Sequence, residues 1–122
     1  MTLAERAVQL WQVLIAAASQ RRTVTYRLLG EQVDLGPALV AEPLALVARY
    51  CAAKQWPPLT VLVVQAGDGR PGASFVWATD ADGAREAVYE HEWFKLRPPS
   101  AGDFALIDDI GIGAASSPTT PR

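Results

Sequence analysis

The sequence predicts an α+β domain with three N-terminal helices, a β-hairpin and a C-terminal helix. Three observations carry that expectation. Apolar residues recur at three- and four-residue spacing from Leu3 to Ala18, the signature of an amphipathic helix. The β-branched run LTVLVV (59–64) is bounded by Pro57–Pro58 on one side and a glycine-rich stretch on the other. Helical spacing then resumes through Ala84, Ala87, Val88, Tyr89 and Trp93. A chain of 122 residues, 50% hydrophobic and 20% charged, fits one domain with a single core. The expected domain covers residues 1–110. The small, polar remainder GIGAASSPTTPR (111–122) is expected to be a disordered tail.

Each element follows from local chemistry. Thr2 and Glu5 have capping-box spacing at the start of the first helix, and Arg21 and Arg22 sit where cations suit a helix C-terminus. Thr23 to Thr25 reads as a short extended link, and Tyr26 to Val33 as a short helix that Gly30 either interrupts or brings close to a neighbour. Gly36–Pro37 places a turn before a proline suited to a first helical position. Pro43 predicts a kink, or a break before a new helix near Glu42. Leu44, Val47, Tyr50 and Cys51 form the inward stripe that follows. LTVLVV and SFVWAT (74–79) read as two strands joined by QAGDGRPGA (65–73), in which Asp68–Gly69 is a primed-turn dipeptide. The last helix spans ADGAREAVYEHEWFKL (81–96), and the chain is expected to be irregular after Arg97-Pro98-Pro99.

Three helices followed by a β-hairpin is the plan of a winged helix-turn-helix domain, with the hairpin as the wing. The phrases VTYRLLG (24–30), RYC (49–51), PPLTVLVV (57–64) and GRPGASF (69–75) resemble the corresponding domain of alkyltransferase-like proteins and O6-alkylguanine-DNA alkyltransferases. They are also similar to a group of uncharacterised bacterial domains with the pattern L-P-P-L-T-x-L-V-V followed by a glycine-rich turn. The likeness covers about residues 5–95 and implies a winged helix-turn-helix that binds DNA. The alkyl-accepting cysteine of those enzymes has no counterpart, because Thr60, Val61, Leu62 and Val63 occupy the equivalent strand. Cys51 lies on the preceding helix with no histidine partner to lower its pKa. The arginines of the relatives' recognition helix, one of which replaces a flipped base, are matched by Ala38 and Ala41, followed by Glu42. The wing segment Gln65–Gly69 lacks the relatives' lysine.

Composition narrows the function classes. The net charge of −2 argues against a strongly basic nucleic-acid binder. The charge is uneven, however: residues 1–79 carry seven basic and five acidic side chains, and residues 80–122 carry four and eight. No apolar run approaches the roughly 20 residues of a membrane span. No secretory signal is visible at the start of the chain, and a single cysteine fits a reducing cytoplasm.

Gly67, Gly69 and Gly72 do not form a phosphate loop, because no Gly-Lys-Ser/Thr ending and no helix follow them. His91, between Glu90 and Glu92, has no convergent partner on a helix and is assigned to the surface. Asp103 and Asp108–Asp109 are placed in an acidic loop. Most aromatic residues are assigned to the core, with Trp56 and Trp77 as exceptions. No catalytic residues, metal site, cofactor or small-molecule substrate is identified, and no membrane contact is expected.

Two functions remain. The first is a nucleic-acid-binding module with DNA as partner, contacting the backbone through Arg21, Arg22, Thr25, Tyr26, Arg27 and Arg70. The second is a protein-interaction module using Leu39, Val40, Glu42 and Trp77, as a self-associating dimer, an adaptor, or an immunity or anti-defence factor.

Overall fold

The computed structural model describes residues 1–65 and 81–110. Among the described residues, five α-helices accompany a two-stranded parallel sheet, an α+β arrangement. Helix α1 (Leu3–Ser19) starts with the expected capping box: Glu5 N donates to Thr2 Oγ1 at 3.1 Å, and Thr2 N donates to Glu5 Oε1 at 2.9 Å. It ends in a Schellman turn, in which Arg22 N donates to Ala17 O and Arg21 N to Ala18 O. Arg21 holds the left-handed position of that turn (φ 54°), which glycine usually takes.

Strand β1 (Val24–Thr25), helix α2 (Tyr26–Gln32) and helix α3 (Pro37–Lys54) follow. Pro43 neither ends nor divides α3. The proline lies in the second turn, and the carbonyl it leaves without a donor is that of Leu39, an exposed residue. After α3 the expected strand is mostly a tight turn: Leu59–Leu62 is a 3₁₀ helix, and only Val63–Val64 forms strand β2. Val61 N donates back to Pro58 O at 3.0 Å, so the proline pair starts the turn. The run is buried on every side and therefore shows no alternation to separate strand from turn. β2 pairs with β1 in parallel, Val24 opposite Val63 and Thr25 opposite Val64. The expected second strand, its glycine-rich turn and the 111–122 tail lie outside the described residues.

Helix α4 (Ala81–Glu90) stops earlier than its apolar spacing predicts, and a 3₁₀ turn (Trp93–Lys95) replaces the last helical residues. The break lets Trp93 enter the core, where its Nε1 donates to Val88 O at 2.8 Å. Residues 101–110, expected to be irregular, form helix α5 (Ala101–Ile110). Its cap is reciprocal: Asp103 N donates to Ser100 Oγ (3.1 Å) and Ser100 N to Asp103 Oδ2 (2.9 Å). Asp103, Asp108 and Asp109 are therefore helical rather than in a loop.

The core is centred on α1, against which α3 and α5 pack. Trp11 meets Tyr50, Trp93 and Phe104 edge-on, at ring separations of 5.8, 5.5 and 6.3 Å. Trp56 joins this cluster 6.1 Å from Trp11, which corrects its assignment as an exception to the core. Among the described residues, no single helix is long and apolar enough to cross a membrane.

Candidate functional site

The most distinctive local geometry is the α2–α3 pair. A four-residue connection (33–36) joins the two helices, and the chain bends through 86° between them. Thr25 starts α2 as its N-cap, with Oγ1 accepting from Leu28 N at 3.1 Å. The turn closes on Gly30: Leu35 N donates to Gly30 O at 2.8 Å, and a Cβ on Gly30 would collide with Leu35 O. Asp34 takes a left-handed conformation (φ 60°) inside the turn. Arg6 of α1 reaches over to donate to Val33 O, fixing the turn to the first helix.

The start of α3 faces outward. Pro37, Ala38, Leu39, Ala41 and Glu42 are exposed, Leu39 to 64%. Val40 is not part of this surface: it is fully buried and lies 3.4 Å from where a Gly30 Cβ would stand. Its assignment to the interaction surface is corrected, because the close approach of α2 at Gly30 turns that position inward. Glu42 is the only charged residue of α3 before Arg49. The exposed end of this helix is therefore apolar and acidic.

The predicted basic cluster separates into distinct roles. Arg21 turns toward α4: its Nη2 lies 2.6 Å from Glu86 Oε2, and its guanidinium sits 5.0 Å from the centre of the Tyr89 ring. The Arg21 hydrogen bond holds the Glu86 carboxyl below its usual range, and Glu86 in turn raises the Arg21 pKa. Arg22 is exposed and donates through Nη1 to the Gln20 amide oxygen at 2.9 Å. Arg27 is exposed on α2, 4.0 Å from Glu31, a separation that binds it weakly. Tyr26 packs half-buried against the core. Thr25, Tyr26 and Arg27 are thus consecutive but do different work: capping, packing and exposed charge. Arg70 and Trp77 lie outside the described residues.

Cys51 is fully buried, and desolvation pushes its thiol up to about 12, opposed in part by the Leu59 backbone N–H. Thr60 is buried with no hydrogen-bond partner for Oγ1. His91, assigned to the surface, is half-buried. Its ring lies 4.4 Å from Trp93, its Nε2 is buried without a partner, and desolvation lowers its pKa while Glu92 opposes the shift. Among the described residues, no group of three His, Cys, Asp or Glu side chains is placed to hold a metal ion.

Sequence reasoning missed Arg6, because the carbonyl it binds is 27 residues away. It also missed the Ser100–Asp103 cap, although that spacing was a visible signal. No family model, curated protein or solved structure matches the chain. The likeness to alkyltransferase-like domains therefore rests on the sequence phrases alone.

Proposed function

We propose that this chain is a non-catalytic nucleic-acid-binding module of the winged helix-turn-helix kind, which holds DNA through its phosphate backbone. The observation that carries this reading is the α2–α3 unit: a glycine-closed turn, an 86° bend and an exposed α3 N-terminal end. Small side chains at Gly36, Pro37, Ala38 and Ala41 permit close approach of a duplex. Arg22 and Arg27 are the exposed cations beside the motif, and Arg70 would add a third from the wing. The wing itself is read from the glycine-rich sequence of residues 65–73. Backbone contacts of this kind confer affinity without sequence information.

Binding of a labelled duplex and a labelled single strand at about 50 and 200 mM salt tests the proposal, since phosphate contacts weaken steeply over that range. Arg22→Gln and Arg27→Gln should each weaken binding and reduce the salt slope by about one. No binding of either probe at the lower salt overturns the reading. In that case Glu42→Arg should create binding, by replacing a phosphate-repelling carboxylate on the groove-facing helix.

A second reading has its own observation. Leu39 is exposed among Ala38, Ala41 and Glu42, an apolar and acidic surface that suits a protein partner. Under this reading the chain is a protein-interaction module, and sedimentation should show self-association or a co-purifying partner that Leu39→Lys abolishes. A strict monomer that retains no partner excludes it.

A further inference from the structure

A concave surface lies between the C-terminal half of α1 and the β1–α2 unit. It encloses about 400 Å³, within the range of small-molecule sites. Its apolar lining comes from Val13 and Ala16 of α1, Val24 of β1 and Leu28 of α2. Its polar lining residues are Gln12, Gln20, Gln32 and Arg22. None of the lining residues carries a carboxylate, in a chain whose net charge is −2.

Arg22 distinguishes this groove from an ordinary surface crevice. Arg21, Arg27, Arg49, Arg85 and Arg97 each lie within 4.0 Å of a carboxylate. Arg6 is engaged by the Val33 carbonyl. Arg22 alone among the described arginines has neither, being held only by the neutral amide oxygen of Gln20. That contact engages one guanidinium nitrogen, between two residues that both line the groove, and leaves the charge unneutralised. A single guanidinium beside an apolar floor matches one carboxylate attached to an apolar body, through charge-assisted hydrogen bonds. The three amides add neutral donors and acceptors that orient a carboxylate without opposing its charge.

We infer that this groove is a binding site for a small amphipathic monocarboxylate, with Arg22 taking the carboxylate and Val13, Ala16, Val24 and Leu28 taking the apolar body. The site stands independently of nucleic-acid binding, although Arg22 contributes to both. A bound acid would occupy the guanidinium that otherwise meets phosphate.

Titration of isotope-labelled protein with octanoate, octanol and octylammonium, followed by NMR in the absence of nucleic acid, tests the assignment. Octanoate should shift the resonances of Val13, Ala16, Arg22, Val24 and Leu28 saturably. Octanol should bind about tenfold more weakly for want of the charge-assisted bond, and octylammonium should not shift this set. Arg22→Gln should reduce octanoate affinity to that of octanol. Ala16→Phe, a change at an exposed helical position, should abolish the shifts while leaving the rest of the spectrum intact. The inference is overturned if octanoate gives no saturable shifts up to about 10 mM, if octylammonium binds equally well, or if Ala16→Phe leaves binding unchanged. Because no nucleic acid is present, a negative result leaves the helix-turn-helix reading untouched, and loss of DNA binding leaves this one untouched.

Discussion

Gly30 controls how α2 and α3 meet, and replacing it with alanine separates the tertiary demand from the local one. At an ordinary helical position Gly→Ala stabilises by about 1 kcal/mol, because alanine has less backbone freedom to lose. At Gly30 the added methyl meets Leu35 O, a backbone atom, with Val40 Cγ2 3.4 Å away. Neither neighbour is the loose end of a flexible side chain. Relief requires the turn to move, which strains the Leu35 N to Gly30 O bond (2.8 Å), worth about 1 kcal/mol. It also repacks Val40 at an overpacking cost of about 2 kcal/mol. Against the propensity gain, Gly30→Ala should lose about 2 kcal/mol, which lowers the melting temperature of a domain this size by about 8 °C. Gly36→Ala is the control. Nothing stands within 4 Å of a Cβ at Gly36, whose φ is −64°, so the change should stay within about 0.5 kcal/mol. Urea unfolding of the three proteins measures both values. A Gly30→Ala protein as stable as the parent, or indistinguishable from Gly36→Ala, would refute the close α2–α3 approach.

Cys51, fully buried with its thiol pushed up to about 12, should resist an aromatic disulfide reagent at pH 8 and react only once urea unfolds the chain; rapid labelling of native protein would contradict its burial. Burial lowers the His91 pKa below its ordinary value of about 6.5 in the folded state. The unfolded chain therefore binds that proton more tightly, and stability should fall as pH drops from about 7 through the folded pKa. His91→Gln should flatten that dependence in urea midpoints measured at about pH 7.5 and 5, and an unchanged dependence would assign it to other groups. Ser100→Ala removes one half of the α5 cap and should cost about 1 kcal/mol. Circular dichroism during urea unfolding measures that cost, and a value near zero would mean that the packing of Phe104 and Ile107 alone holds the helix.

What could be read from the sequence was what neighbours along the chain decide. Thr2 with Glu5 marks the start of α1 and Gly36–Pro37 the start of α3, because caps and first-turn prolines act within a few residues. The inward stripe of α3 was legible from periodicity. The 3₁₀ turn at Leu59–Leu62 was not, because a run buried on all sides loses the alternation that separates strand from turn. Helix α5 was missed although its capping pair was visible. Among the described residues Phe104 and Ile107 mark its core face, and Gly102 with Asp108–Asp109 resembles loop composition. Val40 went to the wrong side because the orientation of α3 depends on α2 approaching at Gly30. His91 was placed at the surface by its acidic neighbours, but the aromatic cluster that half-buries it comes from distant parts of the chain, Trp56 among them.

If the chain binds DNA as proposed, the allocation of its arginines sets how strongly it holds the phosphate backbone. In the sequence the first 79 residues look mildly cationic, with seven basic side chains, but the fold engages three of these in contacts between its elements. Arg6 closes on Val33, Arg21 on Glu86 and Arg49 on Asp108, each joining one part of the fold to another. Arg22 and Arg27 remain exposed beside the α2–α3 pair, with Arg70 as a third outside the described residues. Each phosphate neutralised on duplex DNA contributes about −0.9 to the slope of log affinity against log salt, so two or three contacts predict a slope of about −2 to −3. Equilibrium binding to a random-sequence duplex across a salt series measures it directly. Glu42→Arg should steepen the slope by about one, by adding a cation where the helix now carries a carboxylate. A parent slope steeper than about −5 would mean that arginines assigned here to internal contacts are released to DNA. A slope near zero with measurable binding would move the interaction away from the phosphates altogether, and the apolar end of α3 at Leu39 would then be the surface to mutate.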